Sequence, residues 1–330
     1  MSRVSKSALA LAAAAALALS ACSSTPDEDS AASPSAGKAY TVGISQIVSH
    51  PALDSAVEGF KQGLADGGIT TVTYDEQNAE GDISTASSIA QKFANENLDL
   101  ILGVATPTSQ AVVKAITDTP VVFTAVTDPV GAGLVTDAAA PSANVTGVSD
   151  MLPMAPTMEL IKQVVPNAKK LGVLYNAGES NSVFLIEEQK KAADAAGIEI
   201  VEATASNSSE VKAAADSLVG RVDAISVLTD NTVVSALESV VKVAQENKIP
   251  LIAGDTDSVE RGAVAAYAFD YKDLGVQTGK MAAEILQGKP VKDLPVQYAE
   301  NLQLSVNEDA AKATGITLPA ELVDKAQNKF

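Results

Sequence analysis

The chain has 330 residues, enough for about two domains, and 46% of them are hydrophobic, which is ample for packed cores. Its formal net charge of −18 argues against nucleic acid as a partner, because phosphate repels an acidic surface. One Cys and one His provide no pair for a disulfide and no ligand set for zinc, so neither a metal nor a cofactor is expected.

The first 21 residues have the pattern of a secretory signal. A positively charged start precedes an apolar run at 8–19, which is too short to span a bilayer comfortably as a permanent helix. The run ends in Leu-Ser-Ala-Cys, which resembles the lipobox of bacterial lipoproteins. That resemblance implies cleavage before Cys22, lipidation of Cys22 and anchoring outside the cytoplasmic membrane, since several acyl chains hold a protein stably. An ordinary secretory signal with a chance Cys is the alternative.

Residues 22–37 are small, acidic and polar, which predicts a flexible tether after the lipidated Cys. The folded part is expected to begin near Lys38 with a strand at 40–45. Pro51 suits the first turn of the following helix, with Ser49 or His50 at its cap. We interpret His50 as this cap, with a ligand contact as the alternative. A short strand at 72–74 and a polar loop at 75–82 are predicted next.

The segment from Asp99 to Pro129 predicts a strand, a helix and a second strand. Two apolar runs too short for helices flank a central stretch in which hydroxyl side chains stand at the predicted helix start. Such a right-handed parallel unit binds ligands beyond the carboxyl ends of its strands, against helix N-termini. The polar residues at those ends are Thr106, Thr108, Ser109, Thr127 and Asp128.

The same pattern recurs from Asp223, at an offset of roughly 125 residues, which is about the size of one domain. An apolar run leads to Asp230, Asn231 and Thr232, then to a predicted helix at 233–247 and a strand ending at Asp255. The chain is therefore expected to be α/β, with one lobe design used twice. Two doubly wound parallel-sheet lobes would face each other across a cleft whose walls carry polar strand ends.

The junction at 175–182 is the most polar strand-to-helix connection in the chain. Ser180 and Ser182 are predicted to cap a helix at 183–196, and Glu179 is predicted to place a charge at the mouth of the cleft. Plain capping with a solvated Glu179 is one interpretation. Ligand contact by at least one of Asn176, Glu179, Ser180 and Ser182 is the other, and the position at a strand's carboxyl end favours it.

Several stretches together resemble the extracellular solute-binding proteins of ABC importers, in the branch that handles aromatic amino acids. The stretches are GISQIVSHPALD at 43–54, GFKQG at 59–63, ATPTSQ at 105–110, TDPV at 127–130, YN at 175–176 with ESNS at 179–182, and FDYKDLGVQTG at 269–279. The resemblance implies a type I periplasmic-binding fold with three crossing strands near 147–151, 268–271 and 298–303. Lobe 1 would comprise 38–148 and 271–298, and lobe 2 would comprise 149–270 and 299–330.

This resemblance implies a monomer that binds a small solute between its lobes and presents a composite surface to ABC permease subunits. Hydroxyl and N–H groups at 106–109 suit a carboxylate, and an acid on the opposite wall suits an ammonium group, so an aromatic or large apolar amino acid is expected. The candidate ligand contacts are Gln46, Thr106, Thr108, Ser109, Asp128, Tyr175, Asn176, Glu179, Ser180, Ser182, Asp230, Asn231, Thr232, Asp255 and Phe269.

Other functions leave fewer matching features in the sequence. A sugar site would favour paired Asp, Asn and Arg with flanking Trp, but the chain has no Trp and has Arg only at 3, 221 and 261. An enzyme is not expected, because a hydrolase elbow of the Gly-x-Ser-x-Gly type is absent and His50 is the only His. Another small solute, such as a sugar or nucleoside, and a sensory receptor without transport are kept as alternatives.

Overall fold

Two separate sheets divide the chain into two lobes. The structure is a computed structural model that describes residues 38–141 and 144–330. The predicted signal, tether and lipidation site at Cys22 lie outside the described residues. Among the residues that are described, no helix is both long and apolar enough to cross a membrane.

The elements alternate between strand and helix for most of the chain. The strands are β1 (Tyr40–Gln46), β2 (Val72–Asn78), β3 (Leu100–Val104), β4 (Val121–Thr124), β5 (Val145–Ser149), β6 (Lys170–Tyr175), β7 (Glu199–Thr204), β8 (Ala224–Val227), β9 (Leu251–Ala253), β10 (Ala265–Ala268), β11 (Gln297–Tyr298), β12 (Gln303–Val306) and β13 (Asn328–Lys329). The helices are α1 (Pro51–Asp66), α2 (Ile83–Ala94), α3 (Thr106–Ala115), α4 (Met154–Val164), α5 (Ser180–Ala196), α6 (Val211–Asp216), α7 (Asn231–Ser235), α8 (Leu237–Glu246), α9 (Asp257–Glu260), α10 (Tyr271–Leu286), α11 (Glu308–Ala313) and α12 (Ala320–Lys325).

The first lobe contains a six-stranded sheet in the order β11-β5-β4-β3-β1-β2, with every pairing parallel. The second contains a seven-stranded sheet in the order β13-β12-β10-β9-β8-β6-β7, in which only the pairing of β10 with β12 is antiparallel. Each lobe has its own apolar core. All residues of β3 and β4 are buried, as expected for central parallel strands covered on both faces.

The chain passes between the two sheets three times. Residues 150–153 lead from β5 to α4, residues 269–270 lead from β10 back to α10, and residues 299–302 lead from β11 to β12. Since β5 and β11 pair in the first sheet while β10 and β12 pair in the second, the three crossing segments run side by side as a hinge. The expectation of two α/β lobes joined by three crossings is confirmed.

Helices α1 and α10 pack with their backbones in direct contact at four glycines. A Cβ atom on Gly59 would lie 2.1 Å from the Lys272 carbonyl oxygen, and one on Gly275 would lie 2.1 Å from the Ala56 carbonyl oxygen. Gly63 and Gly279 make matching approaches one turn further along. No side chain fits there, so the helix that follows the second crossing is fixed against the first helix of lobe 1.

Three predicted elements have different bounds in the structure. β2 continues to Asn78, through residues expected to form a loop, because an edge strand can leave polar side chains exposed. The helix predicted at 233–247 is broken at Ala236. There Arg261 donates to the Val234 carbonyl oxygen at 2.9 Å, and this is the oxygen that a continuous helix would offer to the Glu238 N–H.

The helix at the polar junction begins at Ser180, with Glu179 as its N-cap residue, so the expected capping by Ser180 and Ser182 is wrong. Ser180 is exposed, and the Ser182 hydroxyl donates instead to Asp230 at 2.6 Å. The strand β7 was not predicted. It lies at the edge of its sheet and alternates exposed with buried residues over only part of its length.

Candidate ligand-binding site

A cavity lies between the lobes, at the carboxyl ends of the strands, and its empty space, part of it open to solvent, is about 310 Å³. Lobe 1 contributes the starts of α1 and α10 and the residue after β4, the hinge contributes one residue from its first crossing, and lobe 2 contributes the starts of α5, α7 and α9. The lining residues are His50, Ala52, Leu53, Ala125, Asp150, Asn181, Thr229, Asp230, Asn231, Val234, Asp255 and Tyr271.

The wall from lobe 1 is the N-terminus of α1. His50 is the N-cap residue of this helix, and its Nδ1 accepts a hydrogen bond from the Leu53 N–H at 3.5 Å, so its interpretation as a cap is confirmed. Burial, aided by the positive charge of Arg261, lowers the pKa of His50 to about 4, so the ring is neutral at pH 7. With Nδ1 as acceptor, the proton resides on Nε2. This wall therefore offers two hydrogen-bond donors, an imidazole N–H and the N–H of Ala52, because Pro51 has no N–H and those of Leu53 and Asp54 donate to His50.

The wall from lobe 2 carries Glu179 and Asp230 in one hydrogen-bond network. The Asp230 carboxylate accepts from the N–H of Val233 at 2.7 Å, from the N–H of Asn176 at 2.6 Å and from the Ser182 hydroxyl. Glu179 accepts from the N–H and hydroxyl of Thr232 at 3.0 and 2.8 Å, and from the N–H and side chain of Asn231. Both carboxylates thus hold the N-terminus of α7.

A second buried carboxylate beside Asp230 perturbs the titration of Asp230. Burial, together with the charge of Glu179, raises the pKa of Asp230 to about 7, and the hydrogen bonds to its carboxylate oppose that rise. Glu179 is only 4% exposed, so the alternative interpretation of Glu179 as a solvated charge is wrong.

Two further buried acids line the cavity. The carboxylate of Asp255 accepts from the N–H and the hydroxyl of Ser258, at 2.7 and 2.6 Å. Asp150, on the first crossing, accepts from the hydroxyl of Tyr271 at 2.6 Å and from that of Thr127 at 3.2 Å. Burial raises the pKa of both carboxyls, and their hydroxyl partners oppose the rise.

The turn at 106–109, expected to hold a carboxylate, does not line this cavity. Helix α3 begins at Thr106 as predicted. The hydroxyls of Thr108 and Ser109, however, donate to the carbonyl oxygens of Val104 and Ala105, one turn back, at 2.6 and 2.8 Å. Of the three hydroxyls in this turn, that of Thr106 is buried without a hydrogen-bond partner among the described residues. The N-terminus of α1, instead of this turn, forms the donor wall of the cavity.

The ends of β3 and β4 carry strained backbone beside the cavity. Ala105 has φ 74° and Ala125 has φ 54°, in the left-handed region that favours glycine. Such conformations cost on the order of 1–3 kcal/mol each and are concentrated at functional sites. Their position at the strand ends that face the cleft is consistent with a binding site here.

Other predicted residues lie near the cleft but outside this cavity. Asp128 and Ser180 line a second space of about 790 Å³ between the lobes, next to Phe184. Asn176, Glu179 and Thr232 line a third, of about 920 Å³, which Asn231 shares with the buried cavity.

Three of the predicted contacts point elsewhere. Gln46 donates to Asp54 at 2.7 Å and to the carbonyl of Val48. The hydroxyl of Tyr175 donates to Glu202 at 2.6 Å on the neighbouring edge strand. Phe269 is buried in the core of lobe 2. Of the predicted set, the structure therefore brings only Asp230, Asn231 and Asp255 to the buried cavity.

Four polar residues that line the cavity were not predicted from the sequence: Asp150, Asn181, Thr229 and Tyr271. Asp150 and Tyr271 are separated by 121 positions, and nothing local marks either as part of a pair. Asn181 had a signal, because it lies inside the junction that was singled out. Of the described residues that line the cavity, none is Lys or Arg, and the described chain has no cluster of His, Cys, Asp and Glu that could hold a metal ion.

These features define a class of protein: two α/β lobes joined by a three-segment hinge, with donors on one wall of an interlobe cavity and carboxylates on the other, form a solute-binding protein of the type I periplasmic-binding fold. The family model for ABC transporter substrate-binding proteins matches residues 41–330. The chain belongs to this family and is a substrate-binding protein of an ABC transporter.

Named relatives support this assignment. A protein of Clostridioides difficile described as a tyrosine-binding protein is 45% identical over 279 residues, which are 84% of this chain and 81% of the relative. The solved structure of an ABC domain from Streptococcus pneumonia in complex with L-Trp is 37% identical and has a TM-score of 0.86, covering 89% of this chain and all of that one.

A third relative has a similar sequence identity but superposes less well on this structure. The ligand-free, open structure of a substrate-binding protein with adhesive properties from Clostridium difficile is 41% identical and covers 88% of this chain and 99% of that one, yet its TM-score is only 0.67. At similar sequence identity, the structure described here therefore superposes better on the L-Trp complex than on the ligand-free, open structure.

Proposed function

We propose that the interlobe cavity binds an amino acid, aromatic or otherwise large and apolar, and that the protein delivers it to the membrane permease. The observation that carries this proposal is the polarity of the cavity. Neutral donors stand on the lobe 1 wall, buried carboxylates stand on the hinge and lobe 2, and no lining residue is Lys or Arg. A zwitterion needs both kinds of group.

The carboxylate of the ligand would face the N-terminus of α1. The N–H of Ala52 and the positive end of the helix dipole favour an anion there, and the Nε2–H of neutral His50 adds a donor. The ammonium group would face the acidic side. Because each end of one small molecule contacts a different lobe or the hinge, binding would hold the lobes closed.

The side chain of the ligand has apolar surface available. Ala52, Leu53, Ala125 and Val234 line the cavity, and Tyr271 presents an aromatic ring. Of the Phe residues in the lobes, Phe184 lines the second space between the lobes, whereas Phe123 and Phe269 are buried in the lobe cores. The names of the relatives that bind tyrosine and L-Trp support an aromatic side chain.

Calorimetry of the purified protein against the twenty amino acids and a panel of sugars tests the ligand class. We expect an aromatic or large apolar amino acid to bind with micromolar or better affinity, about −8 kcal/mol. Binding of a sugar alone would overturn the proposal.

We also propose that the protein is anchored outside the cytoplasmic membrane through lipid on Cys22 and acts as a monomer. The Leu-Ser-Ala-Cys motif at 19–22 supports the anchor. The Cys22→Ser variant should be lost from the membrane fraction, and only the wild type should incorporate labelled palmitate. Retention of the variant in membranes, with no label in the wild type, would contradict the anchor.

A further inference from the structure

Asp150 occupies a position that the other cavity acids do not share. It lies on the first hinge crossing, and its hydrogen-bond partner Tyr271 is the first residue after the second crossing. We propose that Asp150 is the residue that binds the ligand's ammonium group, with the free side-chain oxygens of Asn181 and Thr229 completing the subsite. This inference rests on the proposed amino acid function.

Asp150 has more free hydrogen-bonding capacity than the other acids. A carboxylate has about four acceptor positions. Asp230 and Glu179 receive three and five hydrogen bonds respectively, including backbone N–H groups of α7 that need these acceptors. Asp255 likewise accepts a backbone N–H, at the start of α9. Asp150 accepts only two side-chain hydroxyls, one of them at 3.2 Å, so it can accept further donors without leaving a helix end unsatisfied.

The same cavity is also lined by two residues whose buried acceptor oxygens receive no hydrogen bond. Asn181 is 4% exposed, and its Oδ1 has no hydrogen-bond partner among the described residues, although its Nδ2 has three. The hydroxyl oxygen of Thr229 is also buried and unpartnered. Leaving such atoms unpaired costs free energy, so a ligand that donates to them gains affinity. An ammonium group has three N–H donors, and Asp150, Asn181 and Thr229 offer three acceptors.

The charge of Asp150 also favours this assignment. The positive charge of Arg261 acts on Asp255 of lobe 2, but its guanidinium donates to Glu238 and to the Val234 carbonyl oxygen. The negative charge of Asp150 thus has no cationic partner among the residues that line the cavity. A buried carboxylate without a counter-ion favours binding of a positively charged ligand group.

The placement also links the ammonium group to closure of the lobes. Thr127, which donates to Asp150, follows β4 of lobe 1, whereas Asn181 and Thr229 belong to lobe 2. An ammonium group held by all three acceptors would connect the hinge to lobe 2. A compound without that group would contact only part of the subsite.

Calorimetry with Asp150→Asn tests the assignment, using the tightest amino acid from the panel and its des-amino analogue, which carries hydrogen in place of the ammonium group. We expect Asp150→Asn to weaken binding of the amino acid by about ten- to a hundredfold, as for loss of a charge-assisted hydrogen bond, and to leave binding of the analogue unchanged or stronger. Asp270→Asn is the matched control. It makes the same charge change beside Tyr271, outside the cavity lining, and Asn retains the helix cap.

Thr229→Val provides a second test that does not depend on the folding of the Asp150 variant. Val keeps the shape and removes an unpartnered hydroxyl, so thermal stability should not fall, while affinity for the amino acid should fall about two- to tenfold. If the wild type binds no amino acid, the proposed function fails and this inference fails with it. If the wild type binds one but Asp150→Asn binds it equally well, or loses both compounds equally, only the present inference is wrong.

Discussion

The buried pair of Glu179 and Asp230 predicts a pH-dependent stability difference that a single substitution reveals. In Glu179→Gln, one carboxylate oxygen becomes an NH₂ group facing the N–H donors of Asn231 and Thr232. At least one buried donor then loses its acceptor, which costs about 1–3 kcal/mol of unfolding free energy. The same substitution removes the negative charge that raises the pKa of Asp230. The two effects differ in their dependence on pH.

The sign follows from proton linkage. The pKa of Asp230 is about 7 in the folded protein and 3.8 when unperturbed, so between these values the folded state binds more protons than the unfolded state. Stability contributed by this group is therefore lost as pH rises from 4 to 7, by at most about 4 kcal/mol. Since burial is the larger cause of the rise and the charge of Glu179 is the second, removing Glu179 should recover part of that loss.

The measurement is denaturant unfolding of wild type and Glu179→Gln from pH 5 to pH 8. We expect the variant to be less stable at pH 5, where wild-type Asp230 is largely protonated, and its deficit to shrink towards pH 8. Taking the difference cancels other titrations, including that of His50, which has the opposite sign. Glu187→Gln on the same helix, where the side chain is 57% exposed, is the control and should show no such trend. A deficit that is constant or grows with pH would refute the reasoning.

Two more substitutions test the lobe 1 wall and the helix packing. His50→Gln should lower stability at pH 7 by about 1 kcal/mol through loss of the α1 cap. Because the pKa of His50 is about 4 when folded against 6.5 unperturbed, the wild type loses up to about 3 kcal/mol as pH falls from 6.5 to 4, and the variant should lose less when the denaturant series is extended down to pH 4. Equal pH slopes would contradict this. Gly275→Ala should destabilise the protein by about 1–3 kcal/mol, since the new Cβ would lie 2.1 Å from the Ala56 carbonyl oxygen. An unchanged melting temperature would show that α1 and α10 are not packed so closely.

The duplicated lobe design was predictable because its signals are local. Apolar runs of strand length, such as that of β3, alternate with segments that begin with hydroxyl or acidic residues. These patterns indicate which segments form strands and which form helices, and which edge of each sheet faces the cleft. The acids at positions 230 and 255 could be placed at the cleft for the same reason. The exact boundaries of the two lobes in sequence remain a prediction.

The chemistry of the cavity was less predictable because it depends on contacts between distant residues. Asp150 follows an apolar strand without any motif, and its partner Tyr271 comes 121 positions later. From the sequence, Glu179 has the pattern of a surface charge, yet it accepts hydrogen bonds from N–H groups 52 and 53 positions away. The hydroxyls of Thr108 and Ser109 stand at a helix start, where sequence alone does not show that they bond back to the preceding turn.

Native mass spectrometry of the purified protein in an equimolar mixture of the twenty amino acids and a sugar panel tests the central claim most directly. All candidates then compete for one cavity, and the mass of the adduct identifies the occupant. We predict a single adduct with one protein to one ligand, with the mass of an aromatic or large apolar amino acid. A sugar adduct, or no amino acid adduct at all, would contradict the account.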